Sequence, residues 1–129
     1  LLFSYHGIPK RQNLKTDPTY EEQVLQTSKL CAQKLNIRVE KWGVSFQSRI
    51  GPGWLQPFTD KVLEDLPKKE IKKIAVVCPS FVADNLETLE EINLEAKETF
   101  LTSGGVEFTY IPCLNDDNDW INFLTDYIS

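Results

Sequence analysis

Short apolar runs alternate with longer amphipathic stretches along all 129 residues, and no other feature constrains the fold as tightly. The apolar runs fall at residues 1–6, 40–46, 72–78 and 107–112. Stretches with helical periodicity fall at 19–35, 54–66, 85–101 and 119–128. Runs apolar on both faces, such as Ile74-Ala75-Val76-Val77, suit strands that are covered on both sides. Strands that take turns with helices predict a parallel sheet joined by right-handed crossovers. The expected fold is therefore α/β: a four-stranded parallel sheet flanked by helices in a Rossmann-like, three-layer αβα arrangement. Pro18, Gly51-Pro52-Gly53 and Ser103-Gly104-Gly105 punctuate the helices. With no repeat and no linker, residues 1–129 read as one domain.

Charge and cysteine content narrow the function. A net charge of −5 lacks the basic face of a nucleic-acid binder and leaves a metal cation as a reasonable partner. Cys31, Cys78 and Cys113 are widely spaced and form no C-x-x-C pair, so no zinc or iron–sulfur motif is written here. A reducing, cytoplasmic setting follows. No apolar run reaches membrane-spanning length. The first residue is Leu, already inside a strand-like run, so the sequence reads as a piece of a longer protein.

In a parallel α/β sheet, ligands sit at the carboxyl ends of the strands. His6, the only histidine, ends the first run, immediately before Gly7-Ile8-Pro9. There it is either a base or metal ligand near neutral pH, or a histidine merely hydrogen-bonded at a strand end. Gln47, Ser48 and Arg49 end the second run, residues 80–84 the third, and Cys113, Leu114 and Asn115 the fourth.

The third helix carries a row of acids. At about 100° per residue, Asp84, Glu87, Glu91, Glu95 and Glu98 fall within about 80° on one face. Leu86, Leu89, Ile92, Ala96 and Phe100 take the other. Asp84 and Glu87 also read as a capping-box-like start, and the remaining acids as a solvated face. Like charges at i,i+4 cost about 0.2–0.5 kcal/mol per pair, which a bound cation or deep solvation would offset. Trp54 and Phe58, four apart at the mouth of the second helix, are either core or one wall of a site for a flat apolar ligand. No glycine-rich phosphate loop and no serine-hydrolase elbow follows any strand.

Three segments together resemble the C-terminal half of ferrochelatase, the enzyme that inserts Fe2+ into a porphyrin. They are Ser4-Tyr5-His6-Gly7-Ile8-Pro9; Phe46-Gln47-Ser48-Arg49 with Gly51-Pro52 and Trp54-Leu55; and Phe81-Val82-Ala83-Asp84-Asn85-Leu86-Glu87-Thr88-Leu89-Glu90-Glu91. The stretch 112–115 is similar to the family's last strand end. The resemblance implies a chelatase-type fold and a lyase of heme biosynthesis that makes heme from protoporphyrin IX. It implies His6 and Glu87 as catalytic residues, with Glu91 and Glu95 extending them as metal ligands. Trp54, Gln47, Ser48 and Tyr5 would meet the porphyrin.

Ferrous iron is then a substrate, and no resident cofactor is required. The cysteines that hold an iron–sulfur cluster in some members have no counterpart here. Asn85 stands where many members carry a second histidine. The family's N-terminal domain is the implied partner, and without it the chain is expected to fold but to be inactive. Peripheral contact with the inner membrane is an expectation for the full-length protein. Coproporphyrin as the substrate, a cobalt or nickel chelatase on this fold, and a non-catalytic heme- or metal-binding module are the alternatives.

Overall fold

The computed structural model describes residues 1–129. Its strands are β1 (Leu2–His6), β2 (Gly43–Gln47), β3 (Lys73–Val77) and β4 (Glu107–Tyr110). They form one sheet of four parallel strands in the order β2-β1-β3-β4, as the alternating pattern predicts. The chain steps from β1 outward to β2, then crosses to β3 on the other side of β1. The winding therefore reverses between β1 and β3, which is where an open α/β sheet leaves a crevice at its carboxyl edge.

Side chains alternate across the sheet and build a core on each face. On one, Leu2, Ile74, Val76, Cys78 and Phe108 pack with Leu63 of α3 (Thr59–Asp65) and with Ile92, Ala96 and Phe100 from the third helical stretch. On the other, Phe3, Tyr5 and Phe46 meet Val24 of α2 (Tyr20–Lys34) and Leu55. Thr19 starts α2 with a capping box to Glu22. A short helix, α1 (Lys10–Asn13), precedes it.

Two boundaries shift most from expectation. Residues 39–41 form a 3₁₀ turn, so Glu40 lies outside the strand, and β2 begins where Gly43 N–H reaches the carbonyl of Leu1. The second helix begins at Thr59 rather than Trp54. Pro57 disfavours helix at Gln56, and residues 53–58 instead pair in sheet-like fashion: Lys10 N–H with Gly53 O, Leu55 N–H with Ile8 O and Phe46 N–H with Pro57 O. Trp54 and Phe58 therefore share no helix face.

The third helix is not one α-helix. It runs as α4 (Leu86–Leu89), a π-helical stretch at Glu91–Ala96 and α5 (Lys97–Thr102). Such wide turns inside helices recur at functional sites. The last helix, α6 (Asn118–Ile128), buries none of its residues.

Candidate active site at the carboxyl edge of the sheet

His6 ends β1 at the winding reversal, and three neighbours fix it. Its N–H donates to Ser80 Oγ at 2.8 Å, and its carbonyl accepts from Tyr20 Oη at 2.8 Å. Nδ1 lies 2.6 Å from the Gly7 carbonyl, which can only accept, so Nδ1 carries a hydrogen. The other ring nitrogen, Nε2, faces Glu87 Oε2 at 3.3 Å. A good contact there needs one proton between the two atoms. The pair is about two-fifths exposed, 41% for His6 and 43% for Glu87, so it is open to exchange. Phe81 flanks the imidazole, with ring centroids 6.0 Å apart.

Glu87 stands in the first turn of α4, which Asn85 caps. The Asn85 carboxamide oxygen accepts from Glu87 N–H at 2.8 Å, and Thr88 Oγ1 accepts from Asn85 N–H at 3.0 Å. The capping box is thus Asn85/Thr88, not Asp84/Glu87. The acidic row also divides. Asp84 turns away to the end of β4, where its carboxylate accepts from Tyr110, Thr88, Asn115 and the Cys113 N–H. Burial pushes the Asp84 pKa up, but these four donors outweigh it and hold the carboxyl well below the usual range.

Glu91 lies in the π-helical stretch and is held by Ser48. The Ser48 N–H reaches Glu91 Oε1 at 2.7 Å, and its hydroxyl reaches Oε2 at 3.2 Å. Ser48 adopts a left-handed φ of 62°, which turns the chain out of β2 and aims its N–H at that carboxylate. Beside this contact opens a cleft of about 350 Å3, lined by Gln47, Ser48, Arg49, Asp60, Glu91 and Glu95 among others. Arg49 pairs with Asp60 at 3.1 Å and lies 4.0 Å over the Phe58 ring, so Glu91 and Glu95 give the cleft its negative character.

The residues expected at the site therefore separate into groups. His6 and Glu87 meet directly; Glu91 and Glu95 line the adjoining cleft. No three acidic, histidine or cysteine groups gather closely enough to cage a metal ion, so the four expected ligands are not one cluster. Trp54 packs over the β1 turn, so close that a Cβ on Gly7 would lie 3.3 Å from its Cε3 and 3.0 Å from the Gln47 carbonyl. Tyr5, expected at the substrate, points into the core instead, 3% exposed, with its hydroxyl on Ser28 of α2 at 2.8 Å. Strand alternation decides this: Tyr5 and His6 are neighbours, so they leave opposite faces.

Sequence reasoning missed Ser4, Ser45 and Thr59. All are buried, and they hydrogen-bond to one another and to Gln47. The signal was present as serines within apolar strands, since buried polar groups require partners.

Comparison with known proteins shows the family of the chain. The ferrochelatase family model matches residues 1–129. The chain is 54% identical over 129 residues to a ferrochelatase of Actinobacillus pleuropneumoniae serotype 3, covering 99% of this chain and 40% of that protein. It is 49% identical to the ferrochelatase of Chromobacterium violaceum, covering 99% of this chain and 35% of that one. It is 50% identical over 125 residues to ferrochelatase 1 of Shewanella oneidensis, covering 96% of this chain and 37% of that one. The chain spans about two-fifths of the length of these relatives. With the family model matched from end to end and half the residues shared with such relatives, the chain belongs to the ferrochelatase family.

Proposed function

We propose that this chain is the C-terminal half of a ferrochelatase and supplies the proton-handling pair for insertion of Fe2+ into protoporphyrin IX, with the rest of the family's chain completing the porphyrin cleft. The contact between His6 Nε2 and Glu87 Oε2 at 3.3 Å carries this reading. Metallation replaces two pyrrole N–H protons with one Fe2+, so the site must accept protons beside a place where a cation is welcome. Nδ1 of His6 is committed to Gly7, which leaves Nε2 as the exchanging atom, and Glu87 is the acceptor opposite it. Glu91 and Glu95 extend the negative potential from this pair along the cleft and suit delivery of a divalent cation or removal of protons. Trp54, which packs against Gly7, and Ser48, which bonds Glu91, are the residues we assign to contact the macrocycle.

The exposure of both His6 and Glu87 supports a division of labour in which the family's remaining chain excludes water. The three free cysteines support a reducing, cytoplasmic setting, and no helix is long and apolar enough to cross a membrane. The test joins this chain to the missing portion of the family and follows Fe2+ or Zn2+ insertion by porphyrin absorbance. Insertion that collapses in both His6→Ala and Glu87→Gln supports the reading. Porphyrin binding without metallation would replace it with a heme-handling module.

A further inference from the structure

Glu87 is held at two points, and only one of them is its carboxylate. Its main-chain carbonyl accepts a hydrogen bond from Gln47 Nε2 at 2.7 Å. Gln47 is paired in register with His6 across β1 and β2, so imidazole and carboxamide leave the same face side by side. One touches the Glu87 side chain and the other its backbone. The α-helical ladder of α4 closes with Glu90 N–H on Leu86 O, and the next carbonyl is the one that Gln47 meets. A helix of four residues running into a π-helical stretch has little rigidity of its own, so this dock sets where Glu87 stands.

The dock is in turn fixed by three hydroxyls. Ser4 Oγ donates to Gln47 Oε1 at 2.7 Å, Ser4 and Thr59 hydroxyls lie 2.7 Å apart, and Thr59 and Ser45 hydroxyls 2.8 Å apart. Their directions follow from one constraint. The Glu87 carbonyl only accepts, so Gln47 must present its NH2 there and its oxygen to Ser4. Ser4 spends its single hydrogen on that oxygen, so Thr59 donates to Ser4, and Ser45 donates to Thr59. The whole chain reads Ser45 to Thr59 to Ser4 to Gln47, and then Gln47 to Glu87. Exposure is 0% for both serines and 2% for Thr59 and Gln47, so an unmade bond has no water to replace it.

Gln47, expected from sequence to bind substrate, therefore has both ends of its amide committed to protein. We propose that Gln47 is a positioning residue: the one-way hydroxyl relay Ser45–Thr59–Ser4 locks its amide, and the amide sets the separation of Glu87 from His6. This rests on the reading of His6 and Glu87 as the reactive pair.

The full-length enzyme tests it through Gln47→Glu. The introduced carboxyl keeps the volume and still accepts from Ser4. Protonated, it donates to the Glu87 carbonyl; ionised, it repels it. The expected result is near-normal insertion at low pH and a fall of about tenfold or more in kcat as the carboxyl ionises, because small misplacements of a reacting group are costly. KM for porphyrin stays within about twofold, since the substrate contacts are unchanged. In parallel, Thr59→Val lowers kcat at all pH values, and Thr59→Ser restores it.

A folded Gln47→Leu enzyme, which keeps neither bond of the amide, with the parent kcat overturns the proposal. If that variant fails to fold, the Thr59 pair decides: a folded Thr59→Val enzyme with normal kcat overturns it equally. His6→Ala and Glu87→Gln run alongside. If they abolish insertion while the relay variants leave kcat untouched, the positioning role alone falls. If they leave insertion intact, the reading of the site falls with it.

Discussion

His6 Nε2 lies 3.3 Å from Glu87 Oε2, yet different neighbours secure the two residues. Tyr20, Ser80 and Gly7 hold His6; Asn85 and Gln47 hold Glu87 by its backbone. Function and stability at Glu87 are therefore separable.

Glu87→Gln should leave the fold intact. The carboxylate is 43% exposed, and an exposed ion pair contributes only about 0–1 kcal/mol, whereas the backbone dock is retained. Insertion by the full-length enzyme should fall about 100-fold or more, the usual scale of a lost proton-transfer group. Urea unfolding and porphyrin absorbance measure the two effects; a large loss of stability would contradict this picture.

Asp84 behaves oppositely. It gathers the Tyr110 and Thr88 hydroxyls, the Asn115 amide and the Cys113 N–H, tying α4 to the end of β4. Asp84→Ala should destabilise by about 2–3 kcal/mol, because several part-buried donors lose their acceptor. Chemical denaturation reads this directly.

The same carboxylate gives the fold a pH dependence on the acid side. Burial works to raise the Asp84 pKa and its donors lower it further than burial raises it, so the folded value lies below that of the unfolded chain. The stability it contributes is then complete above an unfolded value of about 3.9 and is lost as pH falls toward the folded one. Unfolding free energy measured from about pH 5 downward should fall less steeply in Asp84→Asn than in the parent, since the amide does not titrate. Equal slopes would place the acid sensitivity elsewhere.

Gly7→Ala should disturb the site without touching its ionisable groups. The new methyl would lie 3.0 Å from the Gln47 carbonyl and 3.3 Å from Trp54, so strand end or indole must move by a few tenths of an ångström. Overpacking of this kind costs about 1–3 kcal/mol. Near-ultraviolet circular dichroism, together with the insertion rate, registers the displacement; an unchanged aromatic spectrum with full stability would show that Trp54 is loosely seated.

The cysteines should differ sharply in reactivity. Cys31 is exposed, whereas Cys78 is buried in the core and its thiol is pushed up to about 12, first by burial and then by Cys113 and nearby carboxylates. Only the thiolate attacks, so a disulfide reagent near pH 8 should label Cys31 in the native chain and Cys78 only on unfolding. Labelling counted by mass spectrometry distinguishes them.

Much of this protein follows from local pattern. Apolar runs between amphipathic stretches determine a parallel α/β sheet, because strands buried on both faces and helices buried on one leave different periodicities. The placement of His6, Gln47 and Glu87 at the carboxyl edge follows from the same pattern, since they sit where strands end and the third helix begins.

Tertiary structure decides the rest. It places the winding reversal between β1 and β3, splits the acidic row so that Asp84 bonds to β4 while Glu91 bonds to Ser48, and turns Tyr5 inward toward Ser28. It also brings Thr59, beyond an extended Trp54–Phe58 loop that periodicity alone makes helical, onto Ser4 and Ser45. Periodicity reports which side of an element is buried. It carries no information about which distant groups share that interior, because that depends on strand order and on the partners each buried polar atom must find.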